Sequence, residues 1–200
     1  ARREVHHRVK NHLQLIASIM NIQARKSESE EVKQAFRENI ARVQSIASIN
    51  EILTANDEGP APLMTFLEKL KNQFLLLYGA EYPIDLKLSG DDLTVSQDQA
   101  TDVALVVNEL VSNAYKHAFK GRENGEIRVI LKNGERYASV TVQDNGTGTE
   151  EIRNEENFGM MLVQMTVKDK LKGKVYVESG ENGTSVTFDF LIDKSTETGI

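Results

Sequence analysis

The apolar positions in the first quarter of the chain repeat with the period of an α-helix. Between residues 2 and 25, apolar side chains recur at steps of three and four, at Val5, Val9, Leu13, Ile16 and Met20. A second set follows an interruption at residues 26–30 and runs from Val32 to Leu53. Each set predicts a helix with one buried stripe.

The two helices are predicted to form a hairpin. Ser27 and Glu30 have the spacing of a capping box, which predicts where the second helix begins. Two helices of similar length joined by a short loop run antiparallel. Because each stripe needs more cover than one partner helix provides, we expect a homodimer that forms a four-helix bundle. A helical subdomain that packs against the rest of the chain is the alternative.

One histidine of the first helix is predicted to face solvent. At roughly 100° per residue, His7 falls almost opposite the apolar stripe, whereas His6 lies nearer its edge. Glu4 precedes His7 by one turn and Asn11 follows it by one turn, both on the same face. Taken alone, this pattern also fits an ordinary surface histidine.

The pattern changes at residues 54–62, where turn-forming residues and two of the three prolines are concentrated. We therefore predict a helical domain at residues 1–57, a second domain at 61–193 and a frayed polar tail at 194–200. The first residues already follow the helical pattern without a capping residue. We expect the chain to be a fragment of a longer protein, with an N-terminal sensor domain outside it.

The second domain alternates between helix-like and strand-like patterns. Helical spacing occupies three segments, at residues 63–78, from a Ser96 cap to about Phe119, and at 159–170. Alternating apolar residues predict strands at 84–88, 127–132, 137–143, 175–179 and 184–191. Asn133 and Gly134 join two of these strands and are typical of a β-hairpin. Helices with an antiparallel-rich sheet predict an α+β fold, a two-layer α/β sandwich.

Composition limits the classes of function. The formal net charge of −6 disfavours nucleic-acid binding. No apolar run approaches the roughly 18 residues of a membrane span, so we expect no membrane contact by this fragment. The chain has no cysteine, which excludes thiolate metal sites and fits a reducing, cytoplasmic location.

Residues 108–119 carry the first candidate for chemistry. Glu109, Asn113 and Lys116 recur at steps of four and three, so on an α-helix they share one face. Carboxylate and amide oxygens suit a hydrated Mg²⁺, and a lysine ammonium neutralises phosphate. A solvated helix face is the alternative.

Two glycine-containing segments are further candidates. The strand that ends near Val142 is followed by Asp144, with Gly146 and Gly148 two and four residues later. These glycines allow a flat ligand to approach the backbone, although Asp-Asn-Gly is also a common turn. Gly159 then opens a helix, whose N–H groups and dipole favour a phosphate, although an ordinary helix start is the alternative.

The order of these motifs resembles the catalytic core of a sensor histidine kinase. Residues 108–119 resemble the N box of a GHKL (Bergerat) ATP-binding domain, residues 144–148 its G1 box and residues 158–163 its G2 box. Residues 7–11, His-Arg-Val-Lys-Asn, resemble the H box of the branch that includes the HWE kinases and the PdtaS- and LovK-like kinases. The resemblance covers residues 2 to about 191.

The resemblance implies roles on the phosphate side of an ATP site. His7 matches the phospho-acceptor, and Asn113 matches the residue that binds Mg²⁺. Glu109 stands where related ATPases carry a catalytic glutamate, which gives it a role in catalysis or as a Mg²⁺ ligand through water. Lys116 and His117 match positions that contact phosphate.

The remaining matches concern adenine and the helix that follows. Asp144 matches the acceptor for the adenine amine, with Gly146 and Gly148 beside the base. Thr184 matches a residue that flanks adenine. Gly159, with Met160 after it, matches the G2 box near the phosphates.

The chain also departs from the family pattern. It contains no tryptophan, so it lacks the W-x-E signature of strict HWE kinases. The G2 box reads G-M-M-L where the family has G-x-G-L, which removes one glycine on the phosphate side. Arg8 follows His7 where other kinases place a carboxylate, and arginine cannot accept a proton.

The resemblance implies a kinase that autophosphorylates His7 from MgATP and passes the phosphoryl group to an aspartate of a response-regulator receiver domain. The alternative is a GHKL-type ATPase or anti-sigma-like kinase in which the hairpin is only a dimerisation stalk.

Overall fold

The computed structural model of the chain divides into two compact units, Ala1–Glu58 and Gly59–Ile200. It describes residues 2–54, 59–78, 83–148 and 158–193, without the side chains of residues 2–8, 53–54 and 77–78. The polar tail predicted at 194–200 and part of the linker predicted at 54–62 lie outside the described residues. No helix in the described part combines the length and apolar character that crossing a bilayer requires.

The first unit is a hairpin of α1 (Arg2–Lys26) and α2 (Glu30–Thr54). Lys10 near the start of α1 forms an ion pair with Glu51 near the end of α2, so the two helices run antiparallel. The α2 cap is Ser29, whose hydroxyl accepts a hydrogen bond from the Val32 backbone N–H at 3.3 Å. The predicted Ser27 cap is therefore wrong, because Ser27 instead closes the turn by accepting from the Ser29 N–H.

The buried side of α1 differs from the predicted stripe. Ala17 is buried, and Leu13 and Met20 are half-buried. Val9 and Ile16 are 38% and 45% exposed, so the single hairpin leaves part of the predicted stripe uncovered. The reason is that apolar residues occupy more than one side of α1, and a single partner helix covers only one side of it. The side chain of Val5 lies outside the described residues.

The second unit is a helix-and-sheet sandwich. Its helices are α3 (Leu63–Tyr78), α4 (Gln97–Asn113) and α5 (Phe158–Met165). Its strands are β1 (Ala61–Pro62), β2 (Ile84–Gly90), β3 (Thr94–Val95), β4 (Gly125–Lys132), β5 (Tyr137–Asp144), β6 (Val175–Gly180) and β7 (Gly183–Leu191). The main sheet has the order β2-β4-β5-β7-β6, and the short strands β1 and β3 pair separately.

The sheet is mixed, and one of its faces is buried. Strand β2 runs parallel to β4, and every other neighbouring pair is antiparallel. Alternate residues of the central strands are buried, among them Ile127, Val140 and Phe188. Helices α3, α4 and α5 pack together, with α3 against β2 and α4 against β5. The predicted two-layer α/β sandwich is thus confirmed.

Helix α4 is the central helix of this layer. Its N-cap Ser96 accepts a hydrogen bond from the Gln99 N–H at 3.2 Å. From Val106 to Val111 every residue is buried, which means that neighbouring elements surround the second half of the helix. Polar residues in this half are consequently held in the interior.

Helices α4 and α5 each continue into a wider turn. After Asn113 the backbone continues as a π-helical turn, Ala114–Ala118, and after Met165 as another, Thr166–Lys170. The helices predicted to run to about Phe119 and to Lys170 are therefore only partly α-helical. The two-residue strands β1 and β3 were not predicted, because two residues are too few to show a period.

Candidate functional site

A buried aspartate lies where strand β5 ends. Asp144 is 6% exposed, and its Oδ1 accepts two backbone hydrogen bonds. The Gly146 N–H donates at 2.9 Å and the Thr184 N–H at 3.2 Å. These donors fix the orientation of the carboxyl group, so that Oδ1 is engaged by the protein and the group can present Oδ2 to a ligand.

Strand register brings Thr184 to this aspartate. Asp144 and Thr184 are paired residues of the antiparallel strands β5 and β7. The Thr184 hydroxyl lies 3.0 Å from the Ser179 hydroxyl on β6, while its backbone N–H points to Asp144. Thr184 is buried and supports the carboxylate directly. The adenine-flanking role expected for Thr184 remains a prediction.

The loop after Asp144 packs closely against the end of the α4 segment. The Thr147 N–H donates to the Ala118 carbonyl at 3.0 Å. A Cβ on Gly146 would lie 2.2 Å from the same carbonyl oxygen, so only glycine fits there. Gly148 has a φ of 70°, which glycine adopts without strain. The two glycines therefore allow the loop to lie against the wide turn.

Burial and nearby donors act in opposite directions on the acidity of Asp144. Burial raises the pKa of its carboxyl group above the usual aspartate value. The Gly146 and Thr184 N–H groups lower this pKa, and so does the positive charge of Arg122. The site is thus a desolvated carboxyl group whose raised pKa is opposed by donors of the protein, and its oxygen atoms suit an acceptor for an amine.

The end of α4 holds polar side chains in the interior. Glu109 is 3% exposed, and Asn108 and Asn113 are each 6% exposed. The solvated-face alternative is therefore wrong for Glu109 and Asn113. Burying a carboxylate and amides inside an otherwise apolar helix layer is costly unless these groups are bonded, so neighbouring elements hold these side chains in place.

Asn113 has unmet hydrogen-bonding capacity. Its amide nitrogen is buried and has no hydrogen-bond partner among the residues that the structure describes. Rotation of the amide by half a turn would present its oxygen at that position. A buried amide with such a vacancy fits a Mg²⁺ ligand. The described residues contain no cluster of three histidine or carboxylate side chains that could hold a metal ion alone.

The wide turn changes the register of Lys116 and His117. Lys116 is exposed and His117 is half-buried, although both follow the buried Asn113 closely. A π-helical turn takes more residues than an α-turn, so Lys116 does not continue the α-helical row of Glu109 and Asn113. The predicted single α-helical face is therefore wrong at Lys116. Such wide turns often occur at functional sites.

Helix α5 begins at Phe158 and contacts α4. Gly159 is buried, and the Met160 side chain is 2% exposed in the core. Met160 could therefore reach a ligand only through its backbone. The polar segment that precedes this helix, at residues 149–157, lies outside the described residues.

The structure brings two of the predicted motifs together, and a third lies on a helix that contacts α4. The first two are the wide turn that follows α4 and the loop after β5, which meet at Ala118 and Thr147, and the third is the start of α5. An open cleft of about 850 Å³ lies elsewhere, between the start of α4, the β4–β5 hairpin and Lys170, and no predicted site residue lines it. The side chains of His7 and Glu4, in α1, lie outside the described residues.

Several contributors to the site were not predicted from the sequence. Ser179 and the Ala118 carbonyl act through strand pairing and loop packing, which leave no local sequence signal. Arg122 stands in a polar segment without periodicity. Asn108 belongs to the N-box segment, but its burial depends on the elements that surround α4.

A five-stranded mixed sheet covered by helices, with a buried aspartate at a strand end, defines an ATP-binding domain of the GHKL class. Two family profiles match the chain. One, described as "Histidine kinase", matches residues 4–78. The other, described as "Histidine kinase-, DNA gyrase B-, and HSP90-like ATPase", matches residues 98–194. The chain belongs to the histidine kinase family.

Curated relatives include sensor kinases. The sensor histidine kinase PdtaS of Mycobacterium tuberculosis is 30% identical over 189 residues, which are 92% of this chain and 38% of that protein. The blue-light-activated histidine kinase 2 of Erythrobacter litoralis is 31% identical, over 93% of this chain and 55% of that protein. The chain therefore spans between about two fifths and somewhat over half of these relatives' length.

A solved structure shares the fold. The histidine kinase domain of an Erythrobacter litoralis blue-light-activated histidine kinase matches with a TM-score of 0.65 and 27% identity. The match covers 95% of this chain and 90% of that chain. The similarity therefore extends over both units.

The geometry generates a prediction that separates Asp144 from Asn113. Asp144→Asn removes the carboxylate that the resemblance assigns to the adenine amine, so we expect ATP affinity to fall by about tenfold to a hundredfold, with or without metal. Asn113→Ala should leave metal-free ATP binding intact and reduce only the strengthening that Mg²⁺ produces. Calorimetric titrations in Mg²⁺ and in chelator measure both effects. Normal ATP binding by Asp144→Asn would show that the site is wrongly assigned.

Proposed function

We propose that this chain is the catalytic core of a sensor histidine kinase that phosphorylates His7 and then supplies a response-regulator aspartate. The observation that carries the proposal is the pairing of a histidine-kinase helical hairpin with an ATP-type site built on Asp144 and Asn113. The hairpin match also disfavours the alternative of an ATPase with a plain dimerisation stalk. His7 lies in α1, within the matched segment.

The proposed reaction transfers the γ-phosphoryl group of ATP to the imidazole of His7. The nitrogen lone pair forms a P–N bond while the bond from the γ-phosphorus to the bridging oxygen breaks, and ADP leaves. Neutral imidazole is the nucleophile, and the ordinary histidine pKa keeps much of it neutral near pH 7. Positioning and charge neutralisation supply most of the rate, because the transition state is loose.

Asn113, with Glu109 through a water molecule, would hold Mg²⁺. The ion, when bound, neutralises charge on the phosphates. Lys116 and His117, which follow Asn113 in the chain, would contact the phosphates, and Asp144 would accept a hydrogen bond from the adenine amine. The Gly159 end of α5 would lie near the phosphates, with its helix dipole favouring their charge.

The first test is chemical. Incubation of the chain with γ-labelled MgATP should give a protein label that acid removes and base does not, as expected of a phosphohistidine. ATP hydrolysis without such a label would support the ATPase alternative and contradict the proposal.

His7 rather than His6 is predicted to carry the label. His7→Gln should abolish labelling because the phospho-acceptor nitrogen is lost. His6→Gln is the matched control, since it removes a neighbouring imidazole and should leave labelling in place. Full labelling of His7→Gln would contradict the assignment.

Glu109 is proposed to accept the imidazole proton and to position the reacting groups, since Arg8 cannot act as a base. Its carboxylate is buried one turn before Asn113 on α4. Glu109→Gln should slow autophosphorylation by about 10²-fold with ATP affinity little changed. Glu4→Gln, the second candidate base, should cost much less. A wild-type rate for Glu109→Gln at saturating ATP would leave Glu109 without a catalytic role.

The hairpin is proposed to form a homodimer through a second apolar side of α1. Leu15, Ile16, Ile19 and Ile22 are exposed in the single hairpin, although they are large and apolar. Such a surface favours association with another copy of the same helix. The same hairpin would receive the response-regulator receiver domain near His7.

Dimerisation can be tested by introducing a charged side chain at the centre of this apolar surface. Ile19→Lys should give a monomer in light scattering at tens of micromolar, because two lysines would be buried in the interface. Leu76→Lys is the control, since Leu76 is also exposed but lies in α3. A monomeric mass for the unchanged chain would refute the proposal.

A further inference from the structure

Lys10 bonds to a carboxylate on the other helix of the hairpin. Its ammonium group donates a hydrogen bond to Glu51 Oε1 and forms an ion pair with this carboxylate. The two side chains are 32% and 55% exposed, so water reaches both charges. Because exposed ion pairs contribute little to folding stability, a stronger anion nearby could draw Lys10 away from Glu51 at little cost.

The stability of α2 does not account for a carboxylate at position 51. Glu51 lies in the last turn of α2, which ends at Thr54. A negative charge is unfavourable there, because the C-terminal end of a helix carries the negative end of its dipole. The last turn of α2 has no basic residue, and no other charged residue occurs between positions 43 and 54. Lys10, from the other helix, supplies a compensating cation.

The same lysine lies close to the proposed phospho-acceptor. Lys10 follows His7 by three residues in α1, so the two positions are neighbours on the helix surface. Side chains of a helix lean toward its N-terminus, which directs Lys10 toward the turn that carries position 7. A phosphoryl group on His7 would bring nearly two negative charges and three acceptor oxygens to this turn. It would therefore compete with Glu51 for Lys10.

We propose that Lys10 changes partner when His7 is phosphorylated, leaving Glu51 for the phosphoryl group, and that Glu51 thereby sets how firmly the hairpin holds the phosphate. The inference rests on the proposed function, which makes His7 the acceptor, and extends it to two further residues. Lys10 contacts the product of the reaction, whereas Glu51 is a positioning residue that acts only through Lys10.

The exchange gives the two residues opposite effects on the equilibrium between ATP with free histidine and ADP with phosphohistidine. Lys10 favours the phosphorylated form, because its charge stabilises the phosphoryl oxygens. Glu51 disfavours that form, because its ion pair with Lys10 must be given up. In a chain without Lys10, Glu51 has no such ion pair to lose, so its effect on the equilibrium should disappear.

The test measures this equilibrium in the full 200-residue chain. The chain is incubated with labelled MgATP and ADP at a fixed ratio until the acid-labile label is constant, and the same value is approached from the labelled side by adding ADP. The variants are Lys10→Met, Lys10→Arg, Glu51→Gln and the double variant Lys10→Met with Glu51→Gln. Lys33→Met is the matched control, since Lys33 forms an exposed ion pair with Glu30 at the start of α2. Circular dichroism checks folding, and calorimetry checks that ATP and ADP affinities are unchanged.

We expect Lys10→Met to lower the equilibrium label by about two- to fivefold and Glu51→Gln to raise it by a similar factor, as expected of exposed charge pairs. In the Lys10→Met background, Glu51→Gln should change the label little. Lys10→Arg should restore the value of the unchanged chain, and Lys33→Met should match it. The differences should shrink at about 0.5 M salt, because the charges involved are exposed.

An equal effect of Glu51→Gln with and without Lys10 would overturn the proposal, since Glu51 would then act without the lysine. An unchanged equilibrium in Lys10→Met would overturn it as well. The proposed function fails separately: the unchanged chain would then take up no acid-labile label, or His7→Gln would label fully. If the chain labels on His7 while the Lys10 and Glu51 variants all reach the same equilibrium, only this inference fails.

Discussion

The burial of the Asp144 carboxylate is the constraint on which the site depends. A charged group at the end of a buried strand is costly, and the protein meets that cost with two backbone donors from different parts of the chain. One donor requires the sharp loop at Gly146, and the other requires β7 to lie in register with β5. The burial of this carboxylate therefore depends both on the loop at Gly146 and on the pairing of β5 with β7.

The sequence predicted the elements well where the local pattern was strong. The helix at 63–78 was predicted with the observed bounds, and all five strands of the main sheet were located to within about two residues, because their alternation reflects a sheet with one buried face. Asp144, Gly146 and Gly148 could be selected because a turn rich in glycine directly follows such a strand.

The features that could not be predicted from the sequence depend on contacts between residues that are distant in the chain. Arg122 and Ser179 act through neighbours that only strand pairing and loop packing bring close. The wide turn after Asn113 has no periodic signal, so Lys116 was placed in an α-helical row that the backbone does not follow. In α1 the apolar residues indicated a helix correctly, but not which side of it the partner helix would cover.

The donors that hold Asp144 are peptide N–H groups, and this has an evolutionary consequence. A substitution at Thr184 changes a side chain but leaves its backbone donor in place, provided that β7 keeps its register. Selection on the acidic end of β5 therefore acts on strand pairing and on the glycines that permit close packing, more than on the identity of the donors. A site built in this way can retain its chemistry while most of the surrounding sequence drifts.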